Sequence, residues 1–139
     1  ASVTSDPRNP PAGMYLSGKD GEIYTYDVRI CAPYRDKLLT DAEMHSLEHL
    51  LATILRNGPE KDKVIYVGPM GCRTGFYVLY RDLDSGAAEA DIVSAFKKVA
   101  DYNGKMPGNS PSECGYCKNL SVKKANGAAK LFLTRIGKV

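Results

Sequence analysis

No apolar run in this 139-residue chain approaches the ~20 residues that a membrane-crossing helix needs, so a bilayer-embedded fold is not expected. There is no basic run and no interleaving of basic with aromatic residues, and the net charge is only +3, so a nucleic-acid surface is not indicated. The stretch Ala1 to Gly13 holds three prolines and no apolar core, which does not fit a signal peptide. Cysteine is sparse, at Cys31, Cys72, Cys114 and Cys117. Without a secretory segment these thiols are expected to be reduced, in a cytoplasmic protein. Histidine is scarcer still: His45 and His49 are the whole stock.

What is present is ordinary for one globular domain. The apolar fraction is 43% and the charged fraction 25%, enough for a core without staples. A single domain over residues 1–139 is expected, with 1–13 as an extended or poorly ordered lead, since Pro7-Arg-Asn-Pro-Pro11 suits neither a helix nor a central strand. Asp20-Gly21 signals a hairpin turn. Glu22 to Ile30 alternates and reads as a half-buried strand. Thr40-Asp-Ala-Glu43 matches a capping box, and Leu47, Leu50, Leu51, Ile54 and Leu55 recur at helical spacing until Asn57-Gly58-Pro59. The spacing predicts a helix over about 41–56. Val64 to Val67 and Phe76 to Tyr80 read as strands around a glycine-rich turn. Ala87 to Tyr102 and Ser121 to Ile136 read as helices, the latter weakened at Gly127 by ~1 kcal/mol relative to alanine. Two strands joined by a turn rather than a crossover favour an α+β fold, an antiparallel sheet packed by helices.

The chemistry concentrates on His45-Ser-Leu-Glu-His49, an H-x-x-E-H pattern in the first two turns of the first long helix. Residues four apart share a face, so both imidazoles can hold one divalent metal with Glu48 poised beside them for proton transfer. An open catalytic site commonly has a third protein ligand, which must be a cysteine or a carboxylate here; Cys114, in a late loop, is the best candidate. Cys114-Gly-Tyr-Cys117 alone allows a redox dithiol or half of a structural zinc site. Cys72 lies in a tight turn where Arg29, Arg73 or the metal can favour a thiolate. Cys31 follows a strand and reads as a buried, inert thiol. Beside an open metal site with acid–base groups, two other readings stay in play: an inverted-zincin-type metallopeptidase, and a structural zinc module that would need Cys117.

Four blocks together resemble the LuxS family of S-ribosylhomocysteine lyases: Tyr26-Asp-Val-Arg-Ile-Cys-Ala-Pro33, His45-Ser-Leu-Glu-His-Leu-Leu-Ala52, Gly68-Pro-Met-Gly-Cys-Arg-Thr-Gly-Phe-Tyr77 and Glu113-Cys-Gly115. They fall in the family's order, and the likeness spans roughly residues 20 to 135. The resemblance implies a homodimer with active sites at the subunit interface. It implies His45, His49 and Cys114 as ligands of one Fe²⁺ per subunit, with Zn²⁺ or Co²⁺ able to substitute. It implies Cys72 and Glu48 as the acid–base groups and Arg29 as a neighbour of Cys72 and the substrate. The implied reaction releases homocysteine and 4,5-dihydroxypentane-2,3-dione, the precursor of a quorum-sensing signal, through carbonyl migration and β-elimination. The sequence departs from the family at Ala1 to Gly13, at Ser46 where threonine is common, and at Tyr66 where an aspartate commonly helps bind the homocysteine end.

Overall fold

A computed structural model describes residues 11–107 and 120–138. The first ten residues of the expected lead, and the candidates Cys114 and Cys117, lie outside the described residues. Seven elements follow in the order β1 (Gly13–Asp20), β2 (Ile23–Arg29), α1 (Asp41–Arg56), β3 (Val64–Pro69), β4 (Gly75–Arg81), α2 (Ser85–Asp101) and α3 (Val122–Arg135). The strands form one antiparallel sheet in the order β1-β2-β4-β3. The expected α+β class is therefore what the chain adopts.

Alternation decides which face of the sheet is covered. Tyr26 pairs with Val78, Val28 with Phe76, and Val67 with Val78, and all five are buried. The intervening residues point the other way: Tyr15, Asp27 and Tyr77 lie in one cross-strand row, Thr25, Leu79 and Tyr66 in the next. On that second face Tyr66 and Tyr77 stay 48% and 39% exposed. The helices cover the first face. Leu47, Leu50, Leu51 and Leu55 of α1, Ile92, Phe96 and Val99 of α2, and Phe132 of α3 are all buried in one core. Each such side chain contributes about 1.5–3 kcal/mol of transfer free energy. Alanines at 125, 128 and 129 let α3 approach closely, and Phe132 meets Phe96 with ring centroids 4.4 Å apart.

The ends of α1 obey the sequence. Thr40 Oγ1 accepts from the Glu43 amide at 3.1 Å, and the Glu43 carboxylate accepts from the Thr40 amide at 2.9 Å. The box fixes the register of the helix, and hence the direction of His45 and His49. Gly21, with φ of +60°, supplies the left-handed first position of the two-residue β1–β2 loop.

Most element ends shift by one or two residues, and the largest departure from expectation is at β1. The lead ends earlier, because Gly13 already opens β1 by pairing with Arg29. The strand itself, Gly-Met-Tyr-Leu-Ser-Gly-Lys-Asp, escapes pattern reading: two glycines and an irregularity between Leu16 and Gly18 break its alternation. Its partner strand supplies the order that its own sequence lacks.

Candidate active site

Two clusters of reactive side chains stand on elements held together by backbone contacts. The first is on α1. His45, Glu48 and His49 each offer a ligand atom, all within 4.8 Å of one another. The Nε2 atoms of the two imidazoles are 3.1 Å apart, with ring centroids at 4.7 Å and planes crossed at 78°. Two nitrogens bound tetrahedrally to one ion at ~2.0–2.1 Å stand roughly 3.3 Å apart, so this pair is already near the spacing of a shared cation. His49 Nδ1 lies 2.9 Å from the carbonyl oxygen of Pro107. A carbonyl only accepts, so Nδ1 of His49 donates in this contact, and Nε2 is the ring nitrogen left facing His45. Metal-binding histidines are oriented by this kind of outer contact. The donor set fits a divalent ion on chemistry as well as on spacing.

Helical geometry explains why the three residues meet. All three are half-buried on the flank of α1, while Met44, Ser46, Leu47 and Leu50 face inward. Ser46 does more than fill space. Its hydroxyl accepts from the Ser121 amide at 2.8 Å, tying α1 to the residue that caps α3. The exchange of threonine for serine here keeps the oxygen that this bond requires.

The second cluster is built by the turn between β3 and β4. Met70 donates its amide to Gly75 O at 2.9 Å, and Arg73 donates to Met70 O at 3.0 Å. Arg73 adopts φ of 60°, a left-handed conformation that a side chain disfavours, and such strain recurs at functional turns. The turn presents Cys72 and Thr74 to one another, sulfur to hydroxyl at 3.0 Å. Arg29, from β2, donates to Thr74 Oγ1 at 2.7 Å, and its nitrogen lies 4.0 Å from Cys72 Sγ. Asp27 holds the other guanidinium nitrogen at 3.8 Å and is itself oriented by Ser17 at 2.7 Å. Partial burial pushes the Cys72 thiol up, but hydrogen bonds from the Thr74 side chain and backbone, with the Arg29 charge, outweigh it; the net pKa lies below the ordinary value. Cys72 is exposed, so a low thiol pKa can be used.

The clusters belong to neighbouring pieces of chain. Leu39 donates its amide to Arg73 O at 3.3 Å, just before α1 begins, and Arg73 pairs with Asp41 of α1 at 3.9 Å. The structure thus joins His45, Glu48 and His49 in one group, Arg29 and Cys72 in another, and anchors the turn of the second to the start of the helix of the first. Thr74 belongs to the second group and was not visible in the sequence, because a threonine two residues beyond a cysteine carries no signal of its own. Cys31 meets its expectation: it is 0% exposed, burial raises its pKa, and its sulfur rests 3.3 Å from the Lys37 carbonyl.

Comparisons with known proteins converge on one family. A model of the LuxS family, described as S-ribosylhomocysteinase, matches residues 12–139. A protein of Finegoldia magna named S-ribosylhomocysteine lyase is 40% identical over 132 residues, covering 91% of this chain and 84% of the relative. One of Clostridium acetobutylicum with the same name is 38% identical over 138 residues, covering 95% and 87%. A third, from Phocaeicola vulgatus, is 44% identical over 109 residues, covering 74% and 68%. A match of this extent, on a chain whose helix pairs two imidazoles with a glutamate, leaves one conclusion: the protein belongs to the LuxS family.

Proposed function

We propose that the chain is an S-ribosylhomocysteine lyase, which cleaves its thioether substrate to homocysteine and 4,5-dihydroxypentane-2,3-dione. The observation that carries this reading is the pairing of a cation-ready imidazole pair, with a carboxylate beside it, and a thiol whose surroundings favour the thiolate. The substrate has no easy leaving group next to its aldehyde, so protons must be moved before the carbon–sulfur bond can break.

His45, His49 and Cys114 would hold the divalent ion, one per subunit, as Fe²⁺ with Zn²⁺ or Co²⁺ able to replace it. When bound, that ion supplies Lewis acidity to the sugar oxygens, which makes neighbouring C–H groups acidic. The protein's own groups do the rest. The Cys72 thiolate takes the C2 proton of the opened sugar and returns it to C1, so the carbonyl moves to C2. The same exchange between C3 and C2 brings the carbonyl to C3. Glu48 then takes the proton at C4, now acidic and β to sulfur; the C4 electron pair forms a double bond to C5, the C5–S bond breaks, homocysteine leaves, and the enol left behind gains a proton at C5 and loses its hydroxyl proton to become the dione. Each positioned acid–base step is typically worth ~10²–10⁴-fold. Arg29 holds positive charge beside the thiolate. Oxidation at one carbon is balanced by reduction at its neighbour, so no nicotinamide is required. Nothing in the described geometry favours a peptidase, in which Cys72 has no role.

Two copies of one lyase domain, residues 1–139, are proposed to form a cytoplasmic homodimer, with active sites at the interface. The sheet face that no described helix covers supports this. It carries the partly exposed Tyr15, Tyr66 and Tyr77, with Asp27 between two of the rings, and Arg29 shares that face at the edge nearest Cys72. Among the described residues no helix is long and apolar enough to cross a membrane. The dione released would serve as the precursor of a quorum-sensing signal.

Metal-loaded protein incubated anaerobically with S-ribosylhomocysteine should release free thiol in proportion to turnover. Absence of thiol release under reducing, iron-replete conditions would sink the assignment.

A further inference from the structure

The Thr74 hydroxyl stands between two sulfurs and a guanidinium with nowhere else to go. Its residue is 0% exposed, so solvent does not compete for it. Its oxygen accepts from Arg29 at 2.7 Å, which occupies one lone pair. One lone pair and one proton remain. Within reach are Cys72 Sγ at 3.0 Å and Met70 Sδ at 3.6 Å. A thiol at Cys72 can donate its S–H to the free lone pair, leaving the Thr74 proton to Met70. A thiolate can only accept, and then the Thr74 O–H must turn to it. Both arrangements give the Thr74 proton an acceptor, and neither requires a heavy atom to move. Arg29 lies 4.0 Å from the sulfur, at the outer limit of a hydrogen bond, so its charge acts on Cys72 through space while its hydrogen bond polarises the Thr74 hydroxyl.

We propose that Thr74 is a positioning residue for the proton transfers at Cys72, its hydroxyl rotating between Cys72 and Met70 as the thiol loses and regains its proton. The proposal rests on the reading of Cys72 as the group that carries protons. A residue that must take a proton and give it back twice per turnover needs both charge states accommodated, and Thr74 accommodates both. Cys72 bears no lasting covalent change, and each proton that it takes from substrate carbon, at C2 and then at C3, resides on the sulfur until it is returned. The charged groups that the described contacts place around this turn are Arg29 of β2, Asp27 beyond it, and Arg73, which Asp41 of α1 engages.

The test reads the thiol rather than turnover. Metal-loaded protein is alkylated with iodoacetamide across a pH series, and modification of the peptide carrying Cys72 is followed by mass spectrometry. Thr74→Val keeps the shape and removes the hydroxyl; it should raise the Cys72 titration midpoint by about one pH unit, a tenfold loss of thiolate, whereas Thr74→Ser should titrate like the parent. A midpoint unmoved in folded Thr74→Val overturns the proposal, and so does Thr74→Ser behaving like the valine variant. Should the valine variant fail to fold, Met70→Leu decides: deprived of its other acceptor, the hydroxyl favours the thiolate and the midpoint falls, while a midpoint that stays or rises contradicts the rotation. Lyase assays of Cys72→Ser separate this outcome from the wider reading. Full activity in that variant would remove Cys72 from the chemistry without altering what the titration says about Thr74.

Discussion

At the scale of single residues, sulfur and imidazole have separable jobs. Cys72→Ser leaves His45 and His49 untouched; it should lower the lyase rate by at least ~10²-fold while metal content, read by elemental analysis, stays at the parent level. Asp91 offers a second test, away from the site. It is 6% exposed and accepts from the Tyr80 hydroxyl at 2.7 Å across the β4–α2 contact. Burial raises its pKa, with Glu60 adding to the rise and Tyr80 and Lys98 opposing it. A carboxyl raised on folding contributes stability below its unfolded pKa, and that stability is lost as pH climbs through the raised folded value. Asp91→Asn keeps an acceptor for Tyr80 and cannot ionise. Its urea midpoint, compared with the parent's, should gain as pH rises from the ordinary carboxylate range to neutrality. The two histidines were legible in the sequence because a chain with only two, spaced four apart, leaves few other readings. Thr74, Tyr80 and Asp91 were not, since a buried hydroxyl or carboxyl announces itself only when its partners, far along the chain, are known.

At the scale of elements, two glycines with opposite surroundings make opposite predictions. A Cβ built on Gly127 of α3 meets nothing within 4 Å. Gly127→Ala should therefore stabilise the protein by up to about 1 kcal/mol in chemical denaturation. A Cβ on Gly75 would stand 1.9 Å from the Val28 carbonyl oxygen, a backbone atom of the neighbouring strand. Gly75→Ala should force β2 and β4 apart at the end that carries Arg29 and Thr74, costing roughly 3 kcal/mol or more and slowing the enzyme beyond its loss of stability. Helix α1 was legible from end to end because its cap, apolar stripe and stop signal agree. Strand β1 was not, because an edge strand with a bulge takes its conformation from hydrogen bonds to β2 that local pattern does not encode.

At the scale of the whole molecule, the helices among the described residues cover one side of the sheet only. Tyr15, Tyr66 and Tyr77 lie on the other, between 36% and 48% exposed. If two copies bury this face together, Tyr77→Glu should convert the species seen by sedimentation from dimer to monomer and reduce activity in parallel. A variant that stays dimeric would place the interface elsewhere. The sequence carried the general outline here, an antiparallel sheet with helices on it, through turn lengths and period. It did not carry which contacts hold the site in place, since Leu39 to Arg73 and Ser46 to Ser121 join residues that no local pattern relates.

The last of these contacts constrains any future change to the protein. Residue 46 sits between the first imidazole and the glutamate, yet its oxygen fastens the amide that starts the C-terminal helix. One turn of backbone thus aims ligands outward and an anchor inward. A designer who reshapes the H-x-x-E-H stripe for another metal inherits the mooring of α3 with it, and a substitution at 46 chosen for the cation would be felt first at the far end of the chain.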